Sequence, residues 1–512
     1  MIEENKSSMK NSVRRLVIAG IGVLIQIIWV VVLVMRLNQY SQIITLLTVA
    51  IELVLVLAVY SMDTNAAFKL PWIILITVAP IVGICVFFLF GRSGATKKVR
   101  TRYRKIDQQL FAYLNQDEQI IDELSKKDER LANDFKYLWK CASSPVYKNT
   151  DVKYYGDTCD AMAAQLEDMM QAKQFIFLEY HAIEMAESFQ ALRKVLMAKA
   201  REGVEIRILY DDAGCIGFLN PRFIKYMGSM GIQCRVFNPI MPVLNIFMNN
   251  RDHRKITVID GKVAYTGGYN LADEYFNITH PYGQWKDSGI RFEGDAVQTA
   301  TILFLEMWNA LKEQDVDIEK YLPVYPYKAK EQGFFALYGD SPLDKEPAGE
   351  NVYMNLLRHA KKYIYFTTPY LILSDEMTRE LTGAAKRGVD VRIITPGIPD
   401  KKTIFQVTKS YYPQLLKHGV KIYEYTPGFM HEKQCICDGE IVVVGTINLD
   451  FRSLYLHFEN AALFCGYEAV SHVKEDFDAL FPICKDMSKE PSERTRRLRL
   501  SQLILRLFSP LM

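Results

Sequence analysis

Three long apolar runs open the chain. Leu16 to Met35 reads "LVIAGIGVLIQIIWVVVLVM", Ile43 to Tyr60 is apolar but weakened by Glu52, and Leu70 to Phe90 reads "LPWIILITVAPIVGICVFFLF". The first has the ~20 residues a bilayer span needs, and no small-residue cleavage pattern follows it, as a signal peptide would require. A buried soluble helix is the plain alternative for any one run, but three in the first ninety residues argue against it. The pattern predicts a membrane region, residues 1–105, with two or three hydrophobic helices. Basic residues crowd the far side of the third run, from Arg92 to Lys105, and a smaller group (Lys6, Lys10, Arg14, Arg15) precedes the first. Positive flanks stay cytoplasmic. Three spans therefore put the bulk of the chain inside and the N-terminus outside, whereas two spans put both basic groups inside.

Past residue 105 the pattern changes to strands alternating with amphipathic helices. "KQFIFLEY" is a strand, and "SFQALRKVLMAKAREG" repeats its apolar residues at spacings of three and four, with Gly203 placed to stop the helix. "VEIRILY" is the next strand. The same order returns later. "AREGVEIRIL" (Ala200–Leu209) is echoed by "AKRGVDVRII" (Ala385–Ile394), "MGIQCRVFNP" (Met230–Pro239) by "HGVKIYEYTP" (His418–Pro427), and "AKQFIFLEY" from Ala172 by "AKKYIYFTT" from Ala360. Echoes in fixed order mark a duplication. The expectation is an α/β fold of two tandem units, residues 106–335 and 336–512, related by a pseudo-twofold axis. An apolar insertion, "IMPVLNIFMNNRD", precedes the first motif described below. It is either a packed loop or a lip that touches lipid. "RTRRLRLSQLILRLFSPLM" at the end mixes arginine with leucine. It is either a terminal helix packed on the second unit or a basic helix lying on anionic lipid.

Composition narrows the class only a little. The net charge of +3 over 512 residues gives no nucleic-acid footprint. Nine cysteines with no framework spacing read as reduced thiols. Cys435 and Cys437 lie near His431, but the first copy carries Thr257 and Ile259 at those offsets, which argues against a shared metal site.

The chemistry sits in a template present twice: "HRKITVIDGKVAYTGGYN" from His253 and "HEKQCICDGEIVVVGTIN" from His431. Residues two apart in a strand face the same side, so His253 projects with Lys255 and His431 with Lys433. Asp260 and Asp438, each followed by glycine, fall at a turn, and the returning strand brings Asn270 or Asn448 back toward the histidine. One pocket made from both copies offers two imidazoles, two cations and two amides. That set suits a phosphodiester. The cations and amides cradle the nonbridging oxygens, one histidine attacks phosphorus, and the other moves the proton of the leaving and entering alcohols. No metal or other cofactor is expected. The residues leave open which histidine attacks, with copy order favouring His253. The aspartates suit orienting neighbours better than chemistry.

Both copies match H-x-K-x4-D-x6-G-x2-N in full and so resemble the phospholipase D superfamily. Together with the apolar head and the ending "RLFSPLM", they resemble its bacterial cardiolipin synthase family from about Leu53 onward. The resemblance implies a multi-pass bacterial membrane enzyme with its catalytic part in the cytoplasm. It implies transfer of a phosphatidyl group between two phosphatidylglycerol molecules with release of glycerol. The implied partners are phosphatidylglycerol and membrane lipids, with no nucleic acid. Similarity of "WKDSGIRFEG" and "NLDFRSLYLHFEN" to the family's segments implies that Asp287 and Glu459 each hydrogen-bond a catalytic histidine. A phospholipase D hydrolase, another phosphatidyltransferase and a non-enzymatic scaffold for anionic lipid remain the alternatives.

Overall fold

A computed structural model describes residues 42–88, 97–219, 222–240, 249–312, 315, 317–323, 325–490 and 500–511, together with scattered positions between 21 and 35. The fold is α/β with two tandem units. The first sheet has seven strands in the order Thr150–Tyr155, Gly289–Gly294, Val263–Gly267, Lys255–Ile259, Phe175–Tyr180, Glu205–Asp211 and Gln233–Phe237. The second repeats that order with Phe334–Asp340, His457–Cys465, Ile441–Gly445, Gln434–Cys437, Tyr363–Thr367, Asp390–Pro396 and Lys421–Tyr425, and adds Cys484–Asp486 at its edge. In both sheets the last three shared strands are parallel and the others antiparallel. Mixed pairing follows from the sequence order: helical crossovers make parallel neighbours, and tight turns make antiparallel ones.

The motif hairpins show the local cause plainly. Asp260 and Gly261 have φ of 52° and 64°, and Asp438 and Gly439 have 54° and 72°. Both central residues of each turn are left-handed, which suits Asp-Gly and matches the twist of the strands it joins. The turns close through Lys262 N–H to the Ile259 carbonyl and Glu440 N–H to the Cys437 carbonyl, each at 3.0 Å.

The inner faces of the two sheets meet in one shared core. Phe177, Ile256 and Phe292 from the first unit pack in the same cluster as Ile436, Val442 and Phe464 from the second. The helix Val297–Leu311 is buried along nearly its whole length in that core, with Phe304 stacked on Phe177. Each fully buried side chain of this size contributes roughly 1.5–3 kcal/mol, so the halves are not separable lobes. Residues 106–335 are also less self-contained than their order suggests. The helices Glu118–Lys127 and Glu129–Ala142 put Ile121, Leu124, Phe135 and Leu138 into the core of the second unit, with Val352 and Leu356.

At the head of the chain, the first apolar run lies outside the described residues apart from scattered positions. The second forms the helix Gln42–Tyr60. The third, expected as one helix, is broken: Ala66–Val78 ends at Ala79 (φ −136°, ψ 73°) and Pro80–Val86 begins a new helix. Proline disfavours helical geometry in the residue before it and has no N–H to continue the ladder. The two pieces fold closely together, since a Cβ on Gly83 would lie 2.6 Å from the Ile76 backbone. Among the described residues, no helix is long and apolar enough to cross a membrane. This head is tied to the second unit. Asn65 caps the broken helix and donates to Glu376 and Tyr455, and Phe68 meets Phe451 and Tyr455 edge-on.

Candidate active site

The two motifs cross, and the backbone crosses first. Arg251–Asp252, just before His253, pairs in parallel with His457–Phe458 of the other unit, and His253 N–H donates to the Phe458 carbonyl at 2.8 Å. Gly428–Met430, just before His431, pairs in parallel with Gln284–Lys286, and His431 N–H donates to the Lys286 carbonyl at 2.8 Å. The next residue on each partner strand is an acid. His253 Nδ1 therefore lies 2.9 Å from Glu459 Oε2, and His431 Nδ1 lies 2.6 Å from Asp287 Oδ2. Each histidine is oriented by the carboxylate of the opposite unit. A carboxylate accepting from Nδ1–H leaves Nε2 as the nitrogen with a lone pair.

The surroundings of the two rings differ. His253 lies 5.0 Å from the ring of His181 and 5.5 Å from that of His457, centroid to centroid. Its carboxylate, Glu459, also accepts from the hydroxyl of Thr446. His457 in turn accepts from Arg452 Nε at 3.1 Å. His431 sits instead against Trp285 at 5.1 Å, Tyr275 at 5.2 Å and Phe429 at 5.8 Å. At the position equivalent to Thr446 stands Gly268, whose missing side chain leaves room for Asp287: a Cβ there would lie 2.0 Å from Oδ1.

The lysines follow their histidines. Lys255 Nζ donates to the His253 carbonyl at 2.7 Å. Lys433 Nζ lies 2.7 and 3.0 Å from the two ring nitrogens of His431 and also donates to its carbonyl. All four groups are buried, and burial disfavours their charged forms. Burial, then Lys255, Lys433 and His431, hold His253 well below the ordinary imidazole value. Burial and Lys433 bring His431 to about 4, against the pull of Asp287, and Lys255 adds to the lowering. Burial likewise brings Lys255 to about 8 and Lys433 to about 7. Each lysine thus lowers the opposite histidine as well as its own. These surroundings favour neutral imidazoles, and a bound anion would favour protonating one of them.

The asparagines are not equivalent. Asn270 Oδ1 accepts from Ala182 N–H at 3.1 Å and its amide donates to Tyr275 at 2.8 Å. Asn448 Oδ1 is buried without a hydrogen-bond partner among the described residues. Asp260 and Asp438 are placed apart from the histidines, each bonded to backbone N–H groups. Asp260 accepts from the backbone N–H groups of Lys173, Gln174 and Phe175 at 2.7–2.9 Å. Asp438 accepts from Lys361, Lys362 and Tyr363 at 2.7–2.8 Å. Both stand at the far end of the strand, roughly 20 Å of chain from the histidines. They pin the entry to the neighbouring strand.

Sequence reasoning missed His181, Arg452, His457 and the aromatic wall around His431. His457 was readable in part, because His457 and Glu459 share a strand face. His181 carried no signal, since its counterpart in the second unit is Pro369. Between His253 and Lys255, Arg254 turns to the opposite face of its strand. There it donates to Glu179 and Glu306 and lines a separate cavity of about 540 Å³ with Asp107, Tyr103 and Phe458.

Two histidines crossed onto carboxylates, one from each tandem unit, place the chain in the phospholipase D-like class. The family described as "Cardiolipin synthase, PLD-like domain" matches residues 166–308 and 353–481. A cardiolipin synthase of Halalkalibacterium halodurans is 32% identical over 442 residues, covering 86% of this chain and 87% of that protein. Cardiolipin synthase 2 of Bacillus anthracis is 30% identical, covering 86% of each. An uncharacterized protein of Streptococcus mutans is 39% identical over 460 residues, covering 90% of this chain and 99% of that one. The fold is shared with a phosphatidylserine synthase of Haemophilus influenzae, at a TM-score of 0.52 and 13% identity over 70% of this chain and 93% of that one. The chain belongs to the cardiolipin synthase family of phospholipase D-like proteins.

Proposed function

We propose that this protein is a phosphatidyltransferase that makes cardiolipin from two phosphatidylglycerol molecules and releases glycerol. The crossed histidine–carboxylate pairs carry this reading. A neutral imidazole with its Nδ1–H on a carboxylate presents Nε2 as a nucleophile. His253 attacks the phosphorus of the first lipid, and the bond from phosphorus to the glycerol oxygen breaks. His431 gives that oxygen its proton, then takes the proton of the second lipid's terminal hydroxyl as it attacks the phosphohistidine. General acid–base help of this sort is worth about 10²–10⁴-fold. Lys255, Lys433 and the amides of Asn270 and Asn448 balance the charge on the nonbridging oxygens. The phosphodiester anion brings negative charge to the two rings, so one imidazole can hold a proton while the other stays free. Asp287 and Glu459 orient the rings, and Asp260 and Asp438 support the scaffold. No cofactor enters these steps.

Transfer beats hydrolysis when a lipid hydroxyl reaches the phosphohistidine before water does. Positioning can equal effective molarities of about 10⁵ M or more. Attachment to the bilayer supports this outcome, and we assign the chain to the bacterial cell membrane as a multi-pass protein with its catalytic units in the cytoplasm. The helix Gln42–Tyr60 exposes Leu46, Leu47, Leu53, Val54 and Leu57. The terminal helix Leu500–Leu507, which packs beside Ala66–Val78, exposes Leu500, Leu503 and Ile504. Apolar surface of that extent needs a covering, and lipid is the covering proposed. The division into residues 1–105, 106–335 and 336–512 is kept as the working description, with residues 118–142 leaning on the last part. The apolar insertion through 241–248 lies outside the described residues.

Expression in a host lacking cardiolipin, followed by mass spectrometry of extracted lipid, tests the assignment. Cardiolipin with free glycerol is the expected product. Phosphatidic acid without cardiolipin would make the protein a hydrolase, and unchanged lipids would favour a lipid-binding scaffold.

A further inference from the structure

The carboxylate behind His253 has a neighbour that the transfer steps leave without a part. Glu459 has no solvent exposure. Its Oε2 takes His253 Nδ1–H at 2.9 Å and also the Thr446 hydroxyl. Its Oε1 has no closer hydrogen-bond partner among the described residues and faces His457 Nδ1 at 3.5 Å. A buried carboxylate oxygen left without a donor is costly.

The tautomer of His457 is fixed from its other side. A guanidinium only donates, and Arg452 Nε–H donates to His457 Nε2 at 3.1 Å, so that nitrogen carries the lone pair. Burial holds His457 well below the ordinary imidazole value. The ring is therefore neutral, and its one proton sits on Nδ1, aimed at Glu459. Contacts that orient a catalytic group are often long before substrate binds and tighten in the complex. His457 and Glu459 share a strand face, while Phe458 between them turns away and stacks on Tyr103. Arg452, His457, Glu459 and His253 thus form one line. The other unit lacks it. Trp285 stands two residues before Asp287, as His457 stands before Glu459. Its ring packs on His431 at 5.1 Å, and its Nε1–H is buried without a hydrogen-bond partner among the described residues.

We infer that His457 is a positioning residue for the attack by His253. As Nε2 bonds to phosphorus and the bond to the glycerol oxygen breaks, positive charge develops on the His253 ring, and His431 gives the leaving oxygen its proton. Nδ1 keeps its own proton and presses it on Glu459 Oε2, which must stay turned towards it. His457 holds Oε1 and so fixes that orientation, and Arg452 fixes His457. The inference rests on the proposed role of His253 as the nucleophile.

Phosphatidyl-p-nitrophenol releases nitrophenolate as His253 attacks and needs no acceptor lipid, so a stopped-flow record of the first turnover reads this step alone. Full-length protein in detergent is compared with His457→Asn, His457→Gln and His457→Phe. Asparagine can put an amide N–H near the place of Nδ1. Glutamine can offer Arg452 an acceptor but has no donor near that place. The first-turnover rate should stay within about threefold of wild type in H457N and fall at least about tenfold in H457Q and H457F, with half-saturating substrate unchanged within about twofold. Unfolding midpoints should be alike, and should H457F not fold, the contrast between H457N and H457Q carries the test. Equal rates in H457N and H457Q, or a wild-type rate in a folded H457F, overturn the inference. Failure of the transferase reading shows separately, as wild-type protein that releases nitrophenolate but makes no cardiolipin from phosphatidylglycerol.

Discussion

His253 and His431 hold equivalent places in two copies of one backbone plan, yet their neighbours are unlike. The first is surrounded by His181, His457 and a carboxylate that also takes the Thr446 hydroxyl. The second stands in an aromatic wall with its lysine against the ring. The difference shows what duplication fixes and what it leaves free. The hairpins, Asp-Gly turns and crossed ladders are set by backbone hydrogen bonds, and a change there would disturb both units. The side chains packed on each ring are free to diverge, and here they give one imidazole polar company and the other an apolar floor. Two such environments suit two roles, one nucleophile and one proton carrier.

The largest effect expected is from His253→Ala and His431→Ala. Each should lower cardiolipin formation by at least about 10³-fold, with an unchanged thermal unfolding midpoint in detergent. Comparable residual activity in one of them would mean that the copies do not share a pocket. Gly268→Ala and Thr446→Val come next and separate the copies. The alanine methyl meets Asp287 and should push it off His431, lowering kcat on the order of 10²-fold. The valine removes one donor to Glu459 and should cost about tenfold. Equal effects would erase the contrast between the two surroundings. Asp260→Ala and Asp438→Ala should act on stability, by about 1–3 kcal/mol each, read as a lower unfolding midpoint. Activity at low temperature should stay within about threefold of wild type. A large loss of kcat in a folded D260A or D438A protein would return the aspartates to the catalytic set.

The smallest effect concerns pH. The folded His431 titrates at about 4, below the ordinary ~6.5 of an unfolded chain. The unfolded state therefore binds more protons between those values, and stability contributed by the neutral ring is lost as pH falls through that window. His431→Gln should flatten the fall in stability between pH 6.5 and 4, by at most about 1.4 kcal/mol per pH unit. An unchanged slope would place the ring in a wetter setting than the one described.

Much of this was legible in the sequence. The offsets within each template predict the strand, the Asp-Gly turn and the returning strand, because periods of two and left-handed turns are local properties. Asp287 and Glu459 were reached by resemblance alone. The crossing was not readable, since it depends on pairing between segments about 200 residues apart, such as Arg251 with His457. His181 was hidden because the repeat offers no matching histidine. The third apolar run read as one span on hydropathy, although Pro80 marked the break. Packing of Ile121 and Phe135 against the second unit is also non-local, and chain order does not reveal it.

The central claim is that both histidines act on one phosphorus in different roles, and the most direct measurement separates those roles. Phosphatidyl-p-nitrophenol has a leaving group that needs no proton, so in His431→Ala the His253 ring should still attack phosphorus and expel nitrophenolate, but the variant should lack the base for the second step. The account predicts a burst of one nitrophenolate per chain in that variant, with a phosphatidyl adduct mapped to His253 after an alkaline quench, and no burst in His253→Ala. An adduct on any other residue, or no burst from either variant, would contradict it.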